Sequence, residues 1–84
     1  MSRRTYSGAD VRKVLVNHGP FRLERIRGDH YILRWEPPAG HDTDARTVPV
    51  PDHDELRTGT LKEIGEQAGM KDFDRFLDWL DRNV

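Results

Sequence analysis

Gly28-Asp29-His30-Tyr31-Ile32-Leu33-Arg34-Trp35 opens on a turn and runs into a strand, with a histidine at the strand's first position. Glycine followed by aspartate is turn chemistry, and the β-branched and aromatic residues after it favour a strand. Phe21 to Ile26 reads as the preceding strand, so the two segments predict a β-hairpin. Its register follows from the side chains. A three-residue loop, Arg27-Gly28-Asp29, pairs Ile26 with His30, Glu24 with Ile32 and Arg22 with Arg34 on one face. The other face then carries Leu23 with Leu33 and Phe21 with Trp35. A two-residue loop, Gly28-Asp29, mixes apolar and charged residues on both faces. One slip flips every side chain, so the three-residue loop is expected. On that register Phe21, Leu23, Tyr31, Leu33 and Trp35 face the core. His30, Arg22 and Arg34 look outward, and Ile26 and Ile32 are semi-exposed.

The hairpin is rich in cations: Arg22, Arg25 and Arg27 before the turn, Arg34 after it. Guanidinium groups hold phosphates, and an imidazole moves protons near neutral pH. A histidine among arginines therefore suits work on RNA, although a turn histidine is also commonly no more than a polar surface residue.

Outward from the hairpin, the N-terminal side predicts a helix from about Gly8 to His18. Ser7 and Asp10 form its capping box, and Val11, Val14, Leu15 and His18 share one face. Gly19-Pro20 stops it. His18, on the apolar face, is expected to be a packed, hydrogen-bonded histidine. Met1 to Tyr6 reads as a basic, frayed lead-in.

On the C-terminal side, Pro37 to Asp44 is an acidic loop. Thr47-Val48-Pro49-Val50-Pro51 is a third strand with Val48 and Val50 facing the core. Its prolines cannot donate to a ladder, so it belongs at an edge or turns its proline positions away from the neighbouring strand. Asp52 to Leu56 is a turn. Thr60 and Glu63 predict the capping box of a second helix, whose face carries Leu61, Ile64 and Ala68, with Gly65 allowing close packing and Gly69 ending it. Asp72 caps a third helix with Phe73, Phe76, Leu77 and Leu80 as its stripe and Trp79 beside it. That stripe is either core or a contact for a basic protein partner. The fold class expected is α+β, in the order α-β-β-β-α with an extra C-terminal helix, the three-stranded antiparallel sheet packed on helices.

Eighty-four residues predict one domain, spanning 1–84, with a small core, since a chain this short buries only about 60–65% of its unfolded surface. There is no cysteine, which excludes disulfides and thiolate metal sites. No apolar run approaches a membrane span or a signal segment, so a cytoplasmic protein is expected, without membrane contact. The formal net charge of −1 hides an asymmetry. Residues 1–35 hold eight Lys/Arg and three Asp/Glu, a balance of +5; residues 36–84 hold six and twelve, a balance of −6. The basic half predicts an anionic partner. The acidic half suits a second, basic partner, a high-salt environment or plain solvation. His41, Asp42, Asp44, Asp52, His53 and Asp54 are metal-ligand types, but they lack ligand spacing and lie in loops, so no metal or other cofactor is expected.

Taken in order, Ser7-Gly8, the Gly19-to-Phe21 transition, Gly28-Asp29-His30, Val48-Pro49-Val50-Pro51, His53, Glu55-Leu56, Gly59-Thr60-Leu61, Ile64 and Ala68-Gly69 resemble the HicA (YcfA-like) toxins of type II toxin–antitoxin systems. The likeness covers roughly residues 7 to 73. It implies a fold like a double-stranded-RNA-binding domain and a ribosome-independent mRNA interferase. It also implies a HicB-like antitoxin that covers the active surface. In that family the hairpin histidine is catalytic, a role that falls on His30. The RNA contacts expected from the basic hairpin are Arg22, Arg25, Arg27, Gly28 and Arg34, with mRNA rather than DNA as the direct ligand. The chemistry implied is metal-independent: the 2′-hydroxyl attacks the adjacent phosphate, His30 moves a proton, and Arg22, Arg27 or Arg34 stabilises the developing charge. His53 is a candidate second proton-transfer group that sequence cannot place near His30, and it is as readily a turn residue. The alternative from another class is a non-catalytic RNA-binding module of the same fold, reading RNA shape through phosphates and 2′-hydroxyls.

Overall fold

The computed structural model describes residues 5–84. The lead-in at residues 1–4 lies outside the described part. The elements run α1 (Gly8–Asn17), β1 (Arg22–Arg27), β2 (His30–Trp35), β3 (Arg46–Pro51), α2 (Thr58–Gln67) and α3 (Phe73–Asn83). The three strands form one antiparallel sheet in the order β1-β2-β3. The fold is therefore α+β in the expected order, with proline-bearing β3 at an edge.

Ser7 caps α1 as its sequence predicts. Its hydroxyl accepts from the Asp10 backbone N–H at 3.0 Å, and the Asp10 carboxylate accepts from the Ser7 N–H at 3.4 Å. Val11, Val14 and Leu15 pack against Leu33, Val48 and Val50 from the sheet, all nearly free of solvent. Ile64 of α2 and Phe76 and Leu80 of α3 close the same core. Burying each such side chain contributes about 1.5–3 kcal/mol. The exposed Arg22–Glu36 pair at 2.9 Å, on the open side, contributes about 0–1 kcal/mol. The helices on one side of the sheet hold the fold, and the opposite side carries no helix.

The hairpin corrects the expected register. Its turn is the two-residue Gly28-Asp29, with Arg27 opposite His30, Ile26 opposite Tyr31 and Arg25 opposite Ile32. The pairing then shifts between Leu23 and Arg25, so that Leu23 faces Leu33 and Arg22 faces Arg34. Glu24 is the extra residue of a β-bulge. Each continuous register alone would mix apolar and charged residues; the bulge changes parity midway and separates them. Gly28 has φ +60°, and among the described residues no residue type but glycine takes positive φ, so Asp29 does not, which is the pattern of a II′ hairpin turn with glycine at its first central position.

Four further differences have simple causes. Tyr6, expected to be frayed, is buried: its hydroxyl donates to the Leu77 carbonyl at 3.5 Å and to the Asp81 carboxylate, tying the chain start to α3. His18, expected to be packed on the apolar face, is exposed at the C-cap of α1, because the helix ends at Asn17, one residue before it. Helix α2 starts at Thr58, with Arg57 as an N-cap that makes no side-chain hydrogen bond; the Thr60–Glu63 box is not used. Leu23 stands on the helix-facing side yet is 38% exposed, and Ile26 is 62% exposed, because β1 is an edge strand that α1 alone of the helices approaches. Of the two readings of the α3 stripe, core is the one that holds, with Phe76 and Leu80 at 0% exposure.

Candidate active site on the open sheet face

Cross-strand partners point to the same side of a sheet. His30, Ile32 and Arg34 therefore share the helix-free face with their partners Arg27, Arg25 and Arg22. Thr47, Pro49 and Pro51 of β3 extend that face. The bulge at Glu24 is what brings this about. In the continuous register expected from sequence, Arg25 and Arg27 would point into the helical side, and Glu24 and Ile26 would sit beside His30. All four predicted arginines now flank the predicted histidine on one open surface.

They are not equally free. Arg22 is held by the Glu36 carboxylate at 2.9 Å, with Glu24 at 4.0 Å. Arg34 donates to the Thr47 hydroxyl at 2.8 Å. Arg25 and Arg27 are exposed, and neither makes a side-chain hydrogen bond or ion pair among the described residues. A guanidinium without an internal partner keeps its full donor set for an incoming anion.

At the turn end of this face a second histidine arrives. The Asp29 carboxylate lies between two rings: one oxygen is 2.8 Å from His30 Nδ1, the other 3.5 Å from His53 Nε2. The backbone fixes the arrangement. Pro51, the last residue of β3, pairs with His30, so the chain leaving β3 runs beside the hairpin turn. The Asp52 N–H donates to the Asp29 carbonyl at 2.6 Å, and the Gly8 N–H donates to the His53 carbonyl at 2.8 Å. A Cβ on Gly8 would lie 1.8 Å from the Pro51 carbonyl oxygen, so only glycine lets α1 start this close to β3.

Hydrogen bonds with His30 first, and with His53 second, hold the Asp29 carboxyl below its usual range, and the charge on His30 adds to this. A depressed carboxyl supports the fold above its unfolded value, and that support is lost as pH falls through the lower folded value. Asp29 is exposed, so the effect on stability is slight. What the charge does is hold two rings at one place throughout the neutral range.

Sequence reading could not place His53 here. The Val48/Val50 alternation sets which side of β3 faces the core, but not how far β3 slides along β2, and the offset decides which residue reaches Asp29. His41 stays away from this group: its ring packs edge-on against Trp35 at 5.8 Å between centroids. Among the described residues no three His, Asp or Glu side chains are arranged to hold a metal ion; His30 and His53 each turn a nitrogen to a different oxygen of Asp29.

Fold and site together define a small α+β protein with an arginine-lined, helix-free sheet face and a carboxylate-bridged histidine pair at its turn end. The family model described as the HicA toxin of bacterial toxin–antitoxin systems matches residues 8–70, from the start of α1 to just past α2, and the chain belongs to that family. It is thus a toxin-type member of a toxin–antitoxin system, with an antitoxin as the partner that membership implies. No curated protein and no solved structure gives a significant match. No helix among the described residues is long and apolar enough to cross a membrane.

Proposed function

We propose that the protein binds single-stranded mRNA on the open sheet face and cleaves it by metal-independent transesterification, with His30 as the catalytic residue. The observation that carries this is the bulge-set register, which gathers Arg22, Arg25, Arg27 and Arg34 on the same face as a half-buried but accessible histidine. Phosphates dock on Arg25, Arg27 and Arg34, and the backbone at Gly28 lets the strand pass close to the turn. His30 Nδ1 is turned to Asp29, which leaves Nε2 to meet the ribose 2′-hydroxyl. The guanidiniums stabilise the charge that develops on phosphorus-bound oxygen. Positioned proton transfer alone contributes about 10²–10⁴-fold, which makes this a slow nuclease, as suits a toxin that must act on many messages without destroying the cell's RNA at once. A HicB-like antitoxin that covers this face would silence it sterically and supply carboxylates to the same arginines. The cytoplasm is where mRNA and such an antitoxin are met.

The test is incubation of long single-stranded RNA with the protein in EDTA, followed by analysis of the new ends. The expected products carry a 2′,3′-cyclic phosphate and a 5′-hydroxyl. New 5′-phosphates would mean attack by water instead. RNA shifted in a gel but left whole would favour the second reading, a non-catalytic RNA-binding module, which the same arginine face supports.

A further inference from the structure

We propose that His53 is the second proton-transfer group of this reaction, working with His30 across the Asp29 carboxylate. The inference rests on the RNA-cleavage reading above. Transesterification moves two protons. The 2′-hydroxyl gives one up as the O2′–P bond forms, and the 5′-oxygen takes one as the P–O5′ bond breaks. One imidazole serves one of these steps at a time. A second imidazole beside it, in the opposite protonation state, serves the other, so the strand is cut with no net proton consumed.

The structure supplies that second ring. Asp29 reaches His30 Nδ1 at 2.8 Å and His53 Nε2 at 3.5 Å with separate oxygens, which leaves His30 Nε2 and His53 Nδ1 to face substrate. Both side chains are accessible, at 42% and 57%. The position is fixed by main chain on three sides: the His30–Pro51 pairing, the Asp52–Asp29 hydrogen bond and the Gly8–His53 hydrogen bond. The groups around His53 are Asp29 and His30 from the hairpin, the flanking Asp52 and Asp54 of its own segment, and the uncharged N–H of Gly8 from α1.

Place in the fold divides the roles. His30 shares the face of the phosphate-holding arginines and takes the 2′-hydroxyl proton. His53 lies beside the turn, at the end of that face, among acidic residues, and as imidazolium gives its proton to the departing 5′-oxygen. The products are a 2′,3′-cyclic phosphate and a 5′-hydroxyl. His30 is left protonated and His53 neutral, and exchange with solvent resets both.

A leaving group that needs no proton separates this role from a merely structural one. Two RNA oligonucleotides would be compared in single turnover, identical except that one carries sulfur in place of the 5′-bridging oxygen at a linkage the wild type cuts. A thiol ionises near pH 8.5 and departs as thiolate without an acid. Loss of the general acid in His53→Gln should slow the oxygen linkage by about 10²-fold or more and leave the sulfur linkage within about threefold of wild type, whereas His30→Gln should lose both. His53→Asn, read the same way, covers the case in which glutamine disturbs folding, and a thermal melt checks each variant. Equal slowing on both linkages would overturn the proposal and leave His53 as a support for Asp29. An unchanged oxygen linkage would overturn it outright. Silence of folded wild-type protein on both substrates would overturn the cleavage reading and this inference together, whereas wild-type cleavage with an indifferent His53 overturns the inference alone.

Discussion

Arg25 and Arg27 are the side chains on which RNA affinity should turn, because nothing inside the described protein competes for them. Arg22 must first release Glu36, and Arg34 is shared with Thr47. For single strands each neutralised phosphate contributes a slope of about −0.7 to log K against log salt. Arg27→Ala and Arg25→Ala should each lower affinity and flatten that slope by about 0.7, while Arg22→Ala changes both much less. Filter binding across a salt series measures this; a larger loss at Arg22 than at Arg27 would mean that RNA docks elsewhere on the hairpin. At this scale the sequence was informative about residue type but not about partners. That His30 stands beside a turn is visible in Gly28-Asp29-His30. That Arg22 is occupied and Arg27 free depends on where Glu36 falls, one residue past the end of β2 and outside its pairing.

The β-bulge is the feature that turns an ordinary hairpin into a site. Side-chain alternation argued for a continuous register, and it did so correctly for Leu23 opposite Leu33 and Arg22 opposite Arg34. It failed nearer the turn, because a two-residue II′ connection satisfies Gly28 and an inserted Glu24 restores the pairing beyond it. Alternation has no signature for one added residue, so Arg25 and Arg27 could not be assigned to the His30 face from sequence. The bulge makes an unusual prediction. Deleting Glu24 leaves a regular strand in which every observed pair survives, so stability should change by no more than about 1 kcal/mol and RNA binding should persist. In a bulge-free hairpin the same deletion would push Arg22 into the helix-facing side and Leu23 into solvent. Chemical denaturation of the deletion variant distinguishes the two, and marked destabilisation would contradict the register described here. The helices were more legible, since capping chemistry and 3.6-residue spacing are local: Ser7–Asp10 and Asp72 cap as read. The start of α2 was missed because its first turn, Thr58-Gly59-Thr60, lacks an observed side-chain cap.

Over the whole molecule, charge and packing divide along the chain. The basic half builds the open face. The acidic half supplies most of the cover on the other side, and its last helix lies beyond the residues that the family model matches. Residues 71–84 are nonetheless part of the core: Phe76 and Leu80 are fully buried, the Phe76 ring lies against Gly65 of α2, and Asp81 accepts from Tyr6. Removing a phenylalanine-sized core side chain costs about 3–5 kcal/mol, and a domain this small has about 5–15 kcal/mol in all. Truncation after Met70 should therefore abolish cooperative unfolding, seen by circular dichroism, even though the family-matched segment stays intact. A folded, cooperative 1–70 fragment would return α3 to the role of a partner surface. The most direct test of the site is single-turnover cleavage of single-stranded RNA in EDTA by His30→Ala beside wild type, with RNA binding measured on the same samples. The catalytic role of His30 predicts cleavage by wild type alone, lost in the variant by about 10²-fold or more, with both proteins shifting RNA alike. Undiminished cleavage by His30→Ala would contradict it.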